Sequence, residues 1–398
     1  MDRKEMEKFE KENLASYAVL SNDYERGGGV QKHDYRTIFQ RDRDRILHSK
    51  AFRRLEYKTQ VFATEVGDHL RTRLTHSLEV YQLSQTVAKI LDLNCDVVEA
   101  ISLGHDLGHA PFGHAGEGIL NELIVEDTGE KCFKHNIQSI RILKFLEKKY
   151  HKYEGLKISI PVLEGILKHT NLPENIPDYC KGLSVDIPHS VTLEGQIVEM
   201  TDEIAQMTHD LDDYLRFGII DIDELVEFKI FDSVNNFYKE KYDYNIKKKI
   251  FSSKNHGKKR KGETFIRCLV DYLVTKLAQD SEEIIYDKEG IEPFKLSNKL
   301  IKFNSSSSSN SIKKFKKETS KLIENNYVIG KMDERGEYII RCLYEHYKEA
   351  PENLPSKTKR KYKNAEDKKE ELITIVDFIA GMTDRFALEK YNEIFQLR

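Results

Sequence analysis

Between Gly104 and Glu117 the chain reads Gly-His-Asp-Leu-Gly-His-Ala-Pro-Phe-Gly-His-Ala-Gly-Glu, which puts three histidines, two acids and four glycines on fourteen positions. No other stretch of the 398 residues is so dense in groups that bind a metal or move a proton. His105 and Asp106 stand side by side, and adjacent ligands of different type suggest a metal. The apolar run Val97-Val98-Glu99-Ala100-Ile101-Ser102-Leu103 before them predicts a buried helix that delivers both at its C-terminal end.

Two more positions extend the set. His76 falls in the first turns of a predicted helix whose stripe runs through Leu78, Val80, Tyr81, Leu83, Val87, Ala88 and Leu91. A lone histidine there is more often structural than a ligand, and only its company changes that reading. Asp202 lies in Thr192 to Asp210, which reads as one helix with Ile197, Val198, Met200, Ile204, Ala205 and Met207 burying most of the cylinder. A carboxylate in such surroundings is costly unless it is paired or bound to a cation. His76, His105, Asp106 and Asp202 thus form a candidate metal set. Mixed nitrogen and oxygen donors suit Mn, Fe, Co, Ni or Zn, whereas Ca and Mg prefer oxygen alone. Four protein ligands on an ion that accepts six leave room for a water and a substrate oxygen, the arrangement a hydrolase needs.

The elements that must position these groups are helical. Few alternating strand patterns, eight prolines and long Leu/Ile/Lys/Glu-rich periods predict an all-α fold. Charged residues make up 33% of the chain but nearly cancel to −3, so no global field for nucleic acid follows. The five cysteines are scattered with no CxxC pair, which excludes a zinc ribbon and points to the reducing cytoplasm. The opening residues carry no apolar signal core, and no window approaches the roughly eighteen apolar residues of a membrane span, so a soluble cytoplasmic protein is expected. Arg36 to Arg54 reads mainly as a solvated helix face with local Asp/Arg pairs. Lys134 to Arg141 opens another helix that runs through Leu146, and a proline-rich loop follows from Leu172 to Pro188. The basic stretch near 252–262 and the serine tract at 304–311 are read as flexible loops. The chain then closes in one helix from Leu372 to Phe395, with Asp384 and Arg385 as a structural ion pair or interface contact.

The order His76, His105-Asp106, Asp202 resembles the H…HD…D pattern of the HD hydrolase superfamily. More specific words surround it: Tyr35-Arg36-Thr37, Phe39-Gln40-Arg41-Asp42-Arg43-Asp44-Arg45-Ile46, Arg71-Thr72-Arg73-Leu74-Thr75-His76-Ser77, the Gly104–Glu117 stretch, and Phe378-Ile379-Ala380-Gly381-Met382-Thr383-Asp384-Arg385. Together they resemble the bacterial deoxyguanosinetriphosphate triphosphohydrolase-like family, from about Tyr17 to near the C-terminus and most weakly across the basic and serine stretches.

The resemblance implies an N-terminal extension over 1–34, an HD core over 35–220 and a C-terminal helical region over 221–398 packed on the core. It also implies hydrolysis of a deoxynucleoside triphosphate (dNTP) to deoxynucleoside and inorganic triphosphate, by attack at the α-phosphorus. The sugar 5′ oxygen leaves poorly, so a proton donor is wanted. His114 takes that role by resemblance, with Glu117 one turn on to orient it and keep it protonated, and His109 is the competing donor or a partner of the metal ligands. Arg73 and His135 are implied as phosphate contacts, Gln60 and Asp210 as contacts to the sugar 3′ hydroxyl. Gln206 departs from the pattern, because many relatives carry tyrosine there. Mg carried on the triphosphate, a homo-oligomer and an activating dNTP are further implications. Two rivals stay open: an HD phosphodiesterase acting on a cyclic nucleotide, alarmone or monophosphate, and a non-catalytic nucleotide or single-stranded nucleic-acid binder supported only by the basic stretch at Lys258 to Lys261.

Overall fold

The computed structural model describes every residue except 27–29, 61–70, 132, 253–257, 289, 305, 325–326 and 397–398, and at 251–252, 258–259, 306–309, 320–324 and 328–329 it describes the backbone alone. Among the described residues every regular element is a helix, and β pairing is limited to an isolated bridge between Thr59 and Thr72. The all-α reading holds.

A buried helix, Cys95–Gly104, forms the axis of the core and packs against four others: Ile38–Leu47, Arg73–Ile90, Ile160–Lys168 and Leu193–Phe217. Its start is fixed by Asn94, whose side chain accepts the backbone N–H groups of Asp96 and Val97 at 3.0 and 3.4 Å. Its residues Val97, Val98, Ala100, Ile101, Ser102, Leu103 and Gly104 are all buried, so it has no solvent stripe along most of its length. The Leu193–Phe217 helix is likewise capped by Thr192, which accepts the Gly195 N–H at 3.1 Å, and it ends at Gly218 with φ +68°.

A second apolar core joins Gly113–Thr128, Tyr327–Glu349, Lys368–Ala380 and Asp384–Phe395. Leu107 belongs to the first core and Ala110 to the second. The histidine-rich stretch therefore lies where the two cores meet.

Several expectations are corrected. The closing helix is two, Lys368–Ala380 and Asp384–Phe395, because the Thr383 hydroxyl accepts the Phe386 N–H at 3.2 Å and starts a new helix after Gly381. Asp384 and Arg385 do not pair with each other: Arg385 bonds Glu389 at 2.8 Å, while Asp384 turns inward. The serine tract is no loop from Ser306 on, where a helix to Glu324 begins; Phe315 anchors it against Phe228, with ring centroids 5.5 Å apart. Residues 258–262 of the basic stretch open the Lys258–Tyr286 helix, and 253–257 lie outside the described residues. On the arginine-rich face, Arg36 and Arg43 do pair with Asp44. Asp42, however, is fully buried against Arg26 at 2.5 Å, and Arg45 is buried beneath Tyr150. No helix among the described residues is long and apolar enough to cross a membrane.

Candidate functional site

The four expected metal ligands converge from two helices, which carry His76 and Asp202, and from the turn that follows the Cys95–Gly104 helix, which carries His105 and Asp106. Nε2 of His76 stands 2.9 Å from Oδ1 of Asp202 and 4.0 Å from Oδ2 of Asp106. Nε2 of His105 is 3.6 Å from the same Asp202 oxygen and 3.4 Å from Oδ1 of Asp106. The donor atoms of His76, His105 and Asp106 all fall within 4.8 Å of one another, close enough to share one ion.

The residues present fit a cation. Nδ1 of His105 donates to the Ser102 carbonyl at 2.7 Å, which leaves the lone pair on Nε2, and that atom is buried without a hydrogen-bond partner. Burial alone would lower the His105 pKa, yet Asp106 and then Asp202 outweigh it and raise it to about 9, so the two carboxylates draw a cation to Nε2, a proton or a metal ion in its place. Both carboxyls are held well below the usual range although burial opposes this, Asp106 by His105, His109 and Arg73, Asp202 by His105 and His76. A buried carboxylate, Asp106, and a partly buried one, Asp202, facing imidazole nitrogens could hold a divalent ion.

Behind the ligands stand residues that sequence reasoning missed. Nδ1 of His209 lies 3.2 Å from Nδ1 of His76, and its other nitrogen contacts Glu79. Burial depresses the His209 pKa to about 4. Arg71 in turn bonds Asp212 at 2.9 Å and Glu79 at 3.4 Å. A signal for His209 was present, since it follows Asp202 by two helical turns.

A second group lies beside the first. Nε2 of His109 meets Asp106 at 3.0 Å, and its ring stacks on His135 with centroids 3.8 Å apart and planes 13° from parallel. His109 is therefore tied to the candidate ligand Asp106, and burial, with Arg73 and His135 adding to it, holds its pKa well below the ordinary value. Glu117 accepts from Nδ1 of His135 at 2.7 Å rather than from His114, and His135 keeps its carboxyl well below the usual range against the effect of burial. His114, Glu117 and His109 still bring donor atoms within 4.8 Å of one another. His114 is the member open to solvent. Its pKa is lowered by partial removal from water and then by Arg73, with Glu117 opposing, so Glu117 does not by itself keep the ring protonated.

Nε2 of His135 faces Nε2 of His169 at 3.0 Å. Nδ1 of His169 already donates to the Ile166 carbonyl at 2.7 Å, and burial depresses the His169 pKa to about 3, so its Nε2 only accepts. His135 is thus held between the Glu117 carboxylate at Nδ1 and the accepting nitrogen of His169 at Nε2. His169 was also missed. Its signal is the one that marked His105, an apolar helix ending in histidine, and both rings bond the carbonyl three residues back at 2.7 Å.

Arg73 is fully buried and gives one N–H to Asp106 at 3.0 Å, while its Nε and Nη2 have no partner. Gly113, at φ +62°, lets the chain pass this guanidinium: a Cβ there would come 3.4 Å from Nη2 of Arg73 and 3.7 Å from the Gln60 carbonyl. Gln60 is thus a neighbour of Arg73, with its own Oε1 buried and unpartnered. Gly108 serves a different end, because a Cβ would strike the His135 carbonyl at 2.0 Å. Asp210 has Asp213 and Arg71 as its electrostatic neighbours, and burial pushes its pKa up to about 7. Gln206 is half-buried on the Asp202 helix.

Lys58 closes the site from behind. Fully buried, it donates to the His109 carbonyl and, at 2.8 Å, to that of Ala380.

Paired histidines and aspartates on buried helices define an HD-domain phosphohydrolase, and the HD domain family matches residues 73–216, with the Phosphohydrolase-associated domain matching 304–393. The chain belongs to the deoxyguanosinetriphosphate triphosphohydrolase-like family. It is 37% identical over 393 residues to such a protein from Nitrosomonas europaea, covering 97% of this chain and 98% of the relative. A relative of the same name from Syntrophus aciditrophicus is 36% identical over 411 residues, 99% and 96% of the two chains, and one from Rickettsia felis 38% over 396, 96% and 98%.

Proposed function

We propose that the protein hydrolyses deoxynucleoside triphosphates to the deoxynucleoside and inorganic triphosphate. The observation that carries the reading is the buried guanidinium of Arg73, with two nitrogens left unpartnered beside the metal cluster. Buried donors without acceptors are costly, and phosphate oxygens match a guanidinium fork. The names of the relatives point to the same substrate class.

His76, His105, Asp106 and Asp202 would hold a divalent ion, which supplies charge neutralisation and activation of water at the phosphorus. Arg73 and the ring of His135 bind and orient the phosphate chain. Attack of water at the α-phosphorus breaks the bond to the 5′ oxygen, which takes a proton from His114. The negative phosphates raise the pKa of His114 as they bind, so the substrate itself prepares the donor. Of the two hydrogens of the water, one ends on the triphosphate and the other replaces the His114 proton.

The test is incubation of metal-reconstituted protein with each dNTP, alone and mixed, with both products identified by chromatography and phosphorus NMR. Deoxynucleoside with triphosphate is expected. Release of pyrophosphate, or no release with any metal, overturns the reading.

A further inference from the structure

Nδ1 of His109 is buried and has no hydrogen-bond partner. The other ring nitrogen meets the Asp106 carboxylate at 3.0 Å and supplies the hydrogen of that bond, so the neutral ring carries its lone pair on Nδ1. A buried lone pair left without a donor is costly. This one faces Oε2 of Glu117 at 3.7 Å, an ionised oxygen that has no hydrogen to give it.

A cation between the two would satisfy both. Donors around a tetrahedral zinc ion, each at about 2.1 Å, stand roughly 3.4 Å apart. The separation of 3.7 Å is close to that. His114 adds a third donor. Its ring lies edge-on to His109 with centroids 5.6 Å apart, and the donor atoms of all three residues fall within 4.8 Å of one another. His114 and Glu117 stand one turn apart on the Gly113–Thr128 helix, so they share a face that looks toward His109. Because His114 is exposed, its ring has room to turn toward the ion, and the ion has a path from solvent. Two imidazoles and a carboxylate are a set that zinc takes with a fourth position left to water.

We propose that His109, His114 and Glu117 hold a second, exchangeable divalent ion of the zinc class, which inhibits the reaction by occupying the lone pair of His114 that must carry a proton to the 5′ oxygen. The binding stands on these three residues alone; its effect on turnover rests on the hydrolytic reading. This ion is held more weakly than the one at His76, His105, Asp106 and Asp202, because it has fewer donors and a single carboxylate. The Arg73 guanidinium, which reaches Gly113 beside His114, also opposes it. Zinc binds such donors more tightly than manganese, so it fills the set at concentrations where manganese leaves it free.

The test uses full-length protein, stripped with chelator and dialysed to equilibrium against a zinc series without nucleotide, with metal per chain counted by mass spectrometry. Expected is a second zinc ion per chain that citrate removes while the first stays. His114→Ala and Glu117→Gln should each lose the second ion alone. Thermal melting should be unchanged in both, since His114 is exposed and an amide oxygen at 117 still accepts from His135. Turnover of a dNTP should fall over the zinc range in which the second ion binds and return when citrate removes it. Binding that stops at the first ion, or a second ion that both variants retain, overturns the site. A second ion that binds without lowering turnover overturns its inhibitory role. Failure to release triphosphate with any metal overturns the hydrolytic reading and leaves the ion count standing.

Discussion

Oδ1 of Asp384 accepts the backbone N–H of Phe112 at 2.9 Å, across 272 residues of sequence. Its other oxygen takes the Thr59 N–H at 2.8 Å and the Thr59 hydroxyl. Phe112 sits at φ +61°, a left-handed conformation that a side chain adopts at a cost of about 1 kcal/mol or more and keeps only when its surroundings hold it. That residue starts the turn leading to Gly113 and His114. Asp384→Ala strands three buried donors and should cost roughly 2–4 kcal/mol, read as a lowered urea midpoint. kcat should fall about 10- to 100-fold as His114 loses its placement. A variant with wild-type melting and turnover would remove Asp384 from this role.

Lys58 acts on the same stretch from the other side, tying the His109 and Ala380 carbonyls together. Burial and then repulsion from Arg54 lower its pKa to about 7, so the ammonium is retained against an electrostatic cost by its two carbonyl acceptors. Lys58→Met keeps the stem and deletes both bonds. We expect kcat to drop on the order of tenfold with KM nearly unchanged, since no phosphate contact is altered. A rise in KM alone, with kcat intact, would contradict the assignment.

These two residues also show where sequence reasoning stops. His105, Asp106 and Asp202 were legible because a carboxylate in an apolar helix has few explanations besides a cation or a partner. The helices carrying them were legible because each is buried along nearly its whole length. The break at Gly381-Met382-Thr383 was not, since the apolar period continues through it and only the Thr383 cap marks a new start. Asp384 looked like half of a local pair because its real partners lie at Thr59 and Phe112, and nothing in the neighbouring sequence records that distance. Asp42 was masked for the same reason: charges alternate around it, while its own carboxyl is buried against Arg26 from another segment. His114 and Glu117 were read as a couple, yet the carboxylate bonds His135, which only the three-dimensional meeting of two helices could show.

The pair His209 and Glu79 should set metal affinity rather than chemistry. His209 fixes His76 through its Nδ1, and Glu79 fixes His209. His209→Ala should weaken metal binding about 10- to 100-fold, measured as metal retained per chain after dialysis against graded chelator. Saturating manganese should then restore most of the turnover. His105→Ala differs in kind, because added metal should not rescue it. If both variants kept full metal content after chelator dialysis, the cluster would not be the metal site.

Glu194 supplies a pH dependence separate from the site. It is fully buried, accepts the N–H groups of Val19 and Asn94 at 2.9 and 3.2 Å, and has its second oxygen without a partner. Burial raises its pKa from 4.5 to about 7, against the pull of those two N–H groups. A carboxyl whose folded pKa lies above its unfolded one contributes stability that is complete below the unfolded value and is lost as pH rises through the folded value. The window is therefore from 4.5 to about 7, with stability falling as pH rises. The unfolded chain releases this proton first, and above pH 7 the folded state must carry a buried charge. Glu194→Gln keeps an acceptor for the backbone and cannot ionise. Relative to wild type, the variant should gain about 2 kcal/mol between pH 5 and pH 8 in urea unfolding. An equal difference at both pH values would mean that Glu194 stays ionised in the folded protein throughout.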